Sequence, residues 1–428
     1  MAPAPQLLQQ AIPRRREPVS RVAFYSHDTY GLGHLRRCLG LASALVGSDP
    51  NVEVLLVTGS PRAYFFETPA RIQVERIPAV TKDADGAYIT RDSDTPLDDT
   101  VRARKRMIRR AVLDFAPDLF VVDHAPSGLR GELLPLLGDL RHRTSTRLAL
   151  GLRDILDEPE RVIADWRQNG TYRLLEELYH DVWVYGAREV FALERLYEFS
   201  AALNRKVEYL GYLGRERELD ASRNSSMSQG FPDPTRPHLL CLVGGGGDGF
   251  PLASAFVEML HAAGERFNGT LVTGPFLSQS KRRSLGGLAS ELSNLQVLRF
   301  TTQVDRLIAG SDAVITMGGY NSVMEALSLG RPTLIVPRTF PRREQALRAH
   351  AFERLGLVRA LDPDALCPTA LLQEAIALIE RPPTLAPQDV GVRWDGAEQF
   401  VRVVRQQLAP LSSHERSGRD AHEPLRSA

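Results

Sequence analysis

Short apolar runs alternate with longer segments whose apolar positions recur at the helical period, from about residue 20 almost to the end of the chain. Residues 21–26 (RVAFYS) read as a buried strand, and 35–46 as the helix that follows it. Further strands are predicted at 52–58, 118–122, 148–152 and 182–185. None keeps a strict inside–outside alternation, and helix-length stretches separate them. That pattern belongs to parallel strands covered by helices, because a strand buried on both faces has no polar side to present.

The series stops at 215–237 (RERELDASRNSSMSQGFPDPTRP), a polar stretch with three prolines after a Ser/Asn cluster, which reads as a linker. A second series begins at once. It runs through a strand at 238–243, a glycine-rich loop, a helix at 251–264, strands at 270–273, 297–300 and 313–316, a helix at 321–329 and a strand at 333–336. The prediction is an α/β protein with two Rossmann-like domains facing each other across a cleft. Residues 21–214 form the first domain and 238–410 the second, with disordered tails at 1–20 and 411–428. In doubly wound sheets ligands sit at the carboxyl ends of the strands, so the chemistry is sought in the loops that follow them.

The bulk numbers narrow the class. A chain of 428 residues suits two cores of ordinary size. A net charge of only +1 gives no field to draw nucleic acid as a partner. Cysteines at 38, 241 and 367 are too scattered for a zinc site or a disulfide framework, so a reducing compartment is expected. No run approaches the ~20 apolar residues needed to cross a bilayer. The first residues lack the apolar centre of a secretory signal. The expected location is the cytoplasm, at most with peripheral contact to the inner face of the membrane. Residues 101–110 carry six basic side chains. Val101, Ile108 and Val112 can share one helix face there, leaving the basic ones for water or anionic lipid.

The strongest motif lies at 316–345, TMGGYNSVMEALSLGRPTLIVPRTFPRREQ. Gly318 and Gly319 follow a strand and lead into a helix with Asn321 or Ser322 near its cap. Glycine admits a phosphate close to the backbone, and a helix N-terminus offers unpaired N–H groups and the positive end of its dipole. Glu325, one turn further in, can accept two hydrogen bonds from a ribose diol. This segment resembles the donor-binding motif of the family-28 glycosyltransferases. They include the bacterial enzyme that adds N-acetylglucosamine to lipid I, and plant galactolipid synthases. Gly318, Gly319, Ser322, Glu325, Gly330, Pro332, Pro337 and Gln345 hold the motif's places, while Tyr320 and Asn321 depart from it. The resemblance implies a GT-B architecture, a nucleotide-sugar donor (UDP foremost), Glu325 on the ribose and Glu344 or Gln345 on the donor sugar.

Other loops fit the same picture. Gly244–Gly247 (GGGG) follow the first strand of the second domain; their spacing up to Gly249 also matches a dinucleotide fingerprint. A NAD site would want an acid at the end of the next strand, which instead reads Val272-Thr-Gly-Pro-Phe276. A diphosphate loop built on Gly245, Gly246 and Gly247 is therefore favoured, with Thr301 behind it, and no cofactor is expected. In the first domain, Gly31-Leu-Gly33-His34 follows the first strand. It resembles the acceptor loop of the same family and, through Arg37-Cys38, the G-x-G-H-x-x-R-C loop of UDP-sugar hydrolases. Asp123 lies at the end of a buried strand, and the resemblance to two-domain glycosyltransferases, where such an Asp orients the His after the first strand, implies that it orients His34 as a general base. His27, Asp28 and His124 compete for that role. Gly33, Arg37, Arg153 and Asp154 are acceptor-side candidates. Asp92-Ser-Asp94 has the D-x-D form but does not follow a strand, so no metal is expected. The reading is inverting sugar transfer to an acceptor that is a small molecule or lipid-linked, with a nucleotide-sugar hydrolase or epimerase as the alternative.

Overall fold

The computed structural model describes residues 19–27, 33–82, 88–90, 95–214, 231, 233–245, 247–383 and 387–408. Residues 1–18 and 411–428 of the expected tails, residues 215–230 and 232 of the linker, Asp28, Asp92, Asp94 and Gly246 lie outside these residues, and Ser20 already belongs to the first strand.

The first sheet contains β1 (Ser20–Ser26), β2 (Val52–Thr58) and β3 (Ile72–Arg76). A hairpin of β4 (Val80–Lys82) and β5 (Tyr88–Thr90) stands apart, and β6 (Leu119–Asp123), β7 (Arg147–Arg153), β8 (Asp181–Tyr185) and β9 (Val207–Tyr209) complete the sheet. Its spatial order is β3-β2-β1-β6-β7-β8-β9, all parallel. The second sheet contains β10 (His238–Leu242), β11 (Asn268–Val272), β12 (Leu295–Leu298), β13 (Ala313–Thr316), β14 (Thr333–Ile335) and β15 (Arg359–Ala360). Its order is β12-β11-β10-β13-β14-β15, again all parallel. Strand order reverses beside β1 in one sheet and beside β10 in the other. Helices leave in opposite directions at such a point and open a crevice, which is why both clefts start from the loops after β1, β6, β10 and β13.

Burial on both faces explains the missing alternation. Val22 and Phe24 face one side of the first sheet, Ala23 and Tyr25 the other, and all four are inaccessible to solvent. Helices that shape the site are α1 (Gly33–Ser48), α2 (Leu97–Phe115), α3 (Phe250–Ala263), α4 (Tyr320–Ser328), α5 (Glu344–Arg354) and α6 (Gly396–Leu408). Leu35, Cys38, Leu41, Ala42 and Leu45 form the buried stripe of α1, so Cys38 is a core side chain. The apolar cluster under α1 continues into Tyr320, Val323, Met324 and Phe352 of the second domain, so the two sheets share a seam. Helix α6 follows the second sheet in sequence yet packs on the first. Phe400 lies 5.9 Å from Phe24 and 5.4 Å from Trp183 between ring centroids.

The basic run on α2 differs from the expectation in one respect. Its inward stripe is Arg104, Ile108 and Val112, while Val101 is only half-buried. Arg104, 1% exposed, donates from Nε and Nη2 to both oxygens of buried Glu132 at 2.7 Å, and from Nη1 to the Pro78 carbonyl at 2.6 Å. A buried guanidinium is tolerated only with such full pairing. The hydropathy pattern could not see it, because the partner lies on a distant segment.

Candidate active site

Strand β6 pairs with β1 so that Tyr25 opposes Val122. That register sets Asp123, the last residue of β6, beside the mouth of the loop leaving β1. Helix α1 begins at Gly33 and points its second residue, His34, at the same spot. His34 Nδ1 stands 2.6 Å from Asp123 Oδ2. Arg37, one turn further along α1, donates to the same carboxylate from Nε at 2.8 Å and from Nη2 at 2.9 Å. The Nδ1–H tautomer of His34 matches the 2.6 Å contact with the carboxylate and leaves the lone pair on Nε2; Arg37 Nη2 also lies 2.9 Å from Nδ1. Asp123 and Arg37 are almost wholly buried, while the His34 side chain remains 18% exposed.

The electrostatics hold this couple as a neutral imidazole beside a carboxylate. Burial lowers the pKa of His34 below 6.5, opposed by Asp123 and reinforced by Arg37 and Arg153. Burial works to raise Asp123, but Arg37 and His34 outweigh it and the carboxyl is lowered. The competing histidines lie close by. His124, in a left-handed conformation (φ 67°), has its ring 5.0 Å from that of His34. Its Nδ1 has no hydrogen-bond partner among the described residues. His27 lies against the hydroxyls of Tyr25 at 3.4 Å and Tyr88 at 3.5 Å.

The opposite wall comes from the second domain. Gly318 has φ 85°, and a Cβ there would lie 2.8 Å from Ile335, so only glycine allows this turn out of β13. Gly319 caps α4 with no side-chain bond, leaving the first N–H groups of that helix directed at the cleft with Asn321 and Ser322. Asn321 Nδ2 donates across the seam to the Gly33 carbonyl at 3.3 Å. Glu325 is largely buried, and Arg36 Nη2 of the first domain reaches its Oε1 at 2.6 Å.

Between these walls lies a cleft of about 1160 Å³, counted to its open mouth. Gly33, His34, Arg37, Arg153, Gly245, Thr301, Gly319, Asn321 and Ser322 line it as expected, together with Arg36 and Tyr320. Gly318 and Glu325 do not line it, and three further expected contacts fall elsewhere. Asp154 is closed off by a bidentate pair with Arg348 of α5, at 2.6 and 3.0 Å, so it ties the domains together instead of meeting a ligand. Glu344 is buried against Arg338 at 2.8 Å, and Gln345 Oε1 accepts the Arg338 amide at 3.2 Å. Both hold the loop that follows β14, and neither lines the cleft. Gly247 also stands back from the lining. Arg153 keeps its place there with its pKa held down to about 10 by burial and by Arg37.

Sequence reasoning missed the apolar floor, made by Leu242, Val272, Phe300 and Val304 at the carboxyl ends of β10, β11 and β12. The signal was present in the RFTTQV segment after β12, whose single apolar residues carry no periodicity. It also missed Gly274, where a Cβ would lie 2.5 Å from the backbone of Gly244 and Gly245. Among the described residues, no group of three or more His, Cys, Asp and Glu side chains is placed to hold a metal ion.

Two facing Rossmann-like domains with the cleft between them make up the GT-B architecture. The fold matches that of the glycotransferase of kitacinnamycin over 92% of this chain and 100% of that one, with a TM-score of 0.62 and 18% identity. Residues 240–407 match the glycosyltransferase family 28 C-terminal domain. An uncharacterized glycosyltransferase of Methanosarcina mazei is 27% identical over 350 residues, 77% of this chain and 83% of that protein. The UDP-N-acetylglucosamine--N-acetylmuramyl-(pentapeptide) pyrophosphoryl-undecaprenol N-acetylglucosamine transferase of Alkaliphilus metalliredigens is 24% identical over 167 residues, 39% of this chain and 45% of that one. The chain is a glycosyltransferase whose residues 240–407 are similar to the family 28 C-terminal domain.

Proposed function

We propose that the enzyme moves a hexose from a UDP-sugar to a hydroxyl of a lipid-linked acceptor, inverting the anomeric carbon. One observation carries the reading: a carboxylate-oriented imidazole with a bare Nε2 stands on one wall of a cleft, opposite a glycine turn and an open helix N-terminus on the other. The first is equipment for taking a proton, the second for holding a diphosphate. Leu242, Val272, Phe300 and Val304 receive the flat face of the base, Thr301 its polar edge, and Glu325 the ribose diol. Gly245 and the N–H groups of α4 meet the diphosphate. As the acceptor oxygen bonds to the anomeric carbon, its proton passes to His34 Nε2. The bond from that carbon to the β-phosphate oxygen breaks, and the electron pair leaves with UDP, whose charge the helix end and Arg153 stabilise. The lipid-linked acceptor rests on the likeness to the Alkaliphilus enzyme, whose name specifies such a substrate. Among the described residues no helix is long and apolar enough to cross a membrane.

UDP release from a panel of UDP-sugars, with and without a membrane-lipid extract as acceptor, tests the reading. Release that depends on the extract, and falls about 10²–10⁴-fold in His34→Ala with UDP affinity retained, is expected. Rapid release without any acceptor would instead make the enzyme a hydrolase, and full activity in His34→Ala would remove the base.

A further inference from the structure

Arg36 fills an unspecified position of the G-x-G-H-x-x-R-C loop, yet it lines the cleft. It projects from the first turn of α1 in one domain and reaches Glu325 of α4 in the other at 2.6 Å. Their side chains are 23% and 10% exposed, and Arg36 lines the cleft whereas Glu325 does not. The guanidinium therefore lies between the open space and the carboxylate proposed to bind ribose. A ribose diol, with two O–H donors, can approach that carboxylate only if the guanidinium withdraws. Once withdrawn, Arg36 is a cation tethered beside Gly319, Asn321 and Ser322, at the helix end where a diphosphate would lie. The neighbouring Arg37 is not available for this purpose, since Asp123 holds it through two hydrogen bonds.

We propose that Arg36 exchanges partners when the donor binds: it covers Glu325 in the empty cleft, yields the carboxylate to the ribose and moves onto the diphosphate. The interdomain tie is broken and remade through the ligand. A guanidinium suits both positions because its planar fork fits carboxylate and phosphate alike. The exchange gives the site a selectivity. A nucleoside without phosphates displaces Arg36 from an anion and supplies none in return, so it binds poorly. A nucleoside diphosphate supplies one. This inference rests on the assignment of Glu325 to the ribose.

Calorimetric titration of wild type, Arg36→Ala, Arg36→Gln and Glu325→Gln with UDP and with uridine tests it, with thermal midpoints recorded to establish that each variant is folded. In Arg36→Ala and Arg36→Gln, uridine should bind at least as tightly as to wild type while UDP weakens. The ratio of the two affinities should fall by about 10–100-fold, the worth of a hydrogen bond to a charged group. A ratio that stays at the wild-type value in both variants would overturn the exchange and leave Arg36 as a static tie between domains. Glu325→Gln reports separately on the underlying assignment: it should weaken uridine and UDP by the same factor, and unchanged uridine affinity would remove Glu325 from the ribose. A wild type that binds no UDP would remove the functional reading itself.

Discussion

Replacing Asp123 with asparagine separates catalysis from stability, because the carboxylate serves both. It accepts Nδ1 of His34 at 2.6 Å and two N–H groups of Arg37 at 2.8 and 2.9 Å. Asparagine keeps one oxygen and turns an NH₂ donor toward the others, so a buried guanidinium faces a donor and loses its counter-charge. Removing one partner of a buried ion pair costs about 3–5 kcal/mol. For a domain the size of residues 21–214 that corresponds to a midpoint lower by roughly 6–20 °C. His34→Ala leaves the Arg37–Asp123 pair whole and gives up one hydrogen bond, about 1–2 kcal/mol and roughly 2–8 °C. Turnover should behave differently. With His34 and Asp123 acting as one unit, either substitution lowers kcat by about 10²–10⁴-fold, and the double variant is barely slower than His34→Ala. Scanning calorimetry and initial-rate measurements on the three variants give both readouts. Midpoints of Asp123→Asn and His34→Ala that coincide would refute the buried-pair argument, and additive losses in kcat would refute the unit.

Glu325→Ala should weaken UDP binding by about 2–3 kcal/mol, and calorimetric titration with unchanged affinity would refute the ribose role. The pH profile follows from His34, which burial holds below 6.5. A base with a lowered pKa stays neutral further into acid, so the acidic limb of kcat/KM should lie below pH about 6.5, and a limb above that value would contradict it. Asp123 is lowered in the folded protein, so its contribution to stability is complete above its unfolded value of about 3.9 and is lost as the pH falls through its folded value. Midpoints in a pH series that hold level well below 3.9 would contradict that assignment. Turnover is expected to persist in EDTA, and loss of activity that magnesium or manganese restores would show a metal in the mechanism.

Much of this was legible along the chain because it follows from local rules. Apolar runs without alternation specify strands buried on both faces, and β1, β2, β6, β7, β8, β10 and β13 stand close to where the runs occur. Turn chemistry placed Gly318 and Gly319 ahead of a helix, and the end of a strand placed Asp123 beside His34, whose separation of 89 residues the parallel register of β1 and β6 closes. What the chain could not display were decisions between side chains of like kind. Asp123 ends a buried strand and Asp154 directly follows one, yet the first meets a histidine at the cleft and the second is locked by Arg348, because that choice depends on what α5 brings from the other domain. Arg36 and Arg37 are adjacent in sequence, but the 100° step of the helix turns one toward Glu325 and the other toward Asp123. Glu344 and Gln345 were drawn inward by Arg338, and Arg104 by Glu132. Periodicity records how often a residue is buried, whereas pairing in the interior depends on a partner whose distance along the chain carries no signal.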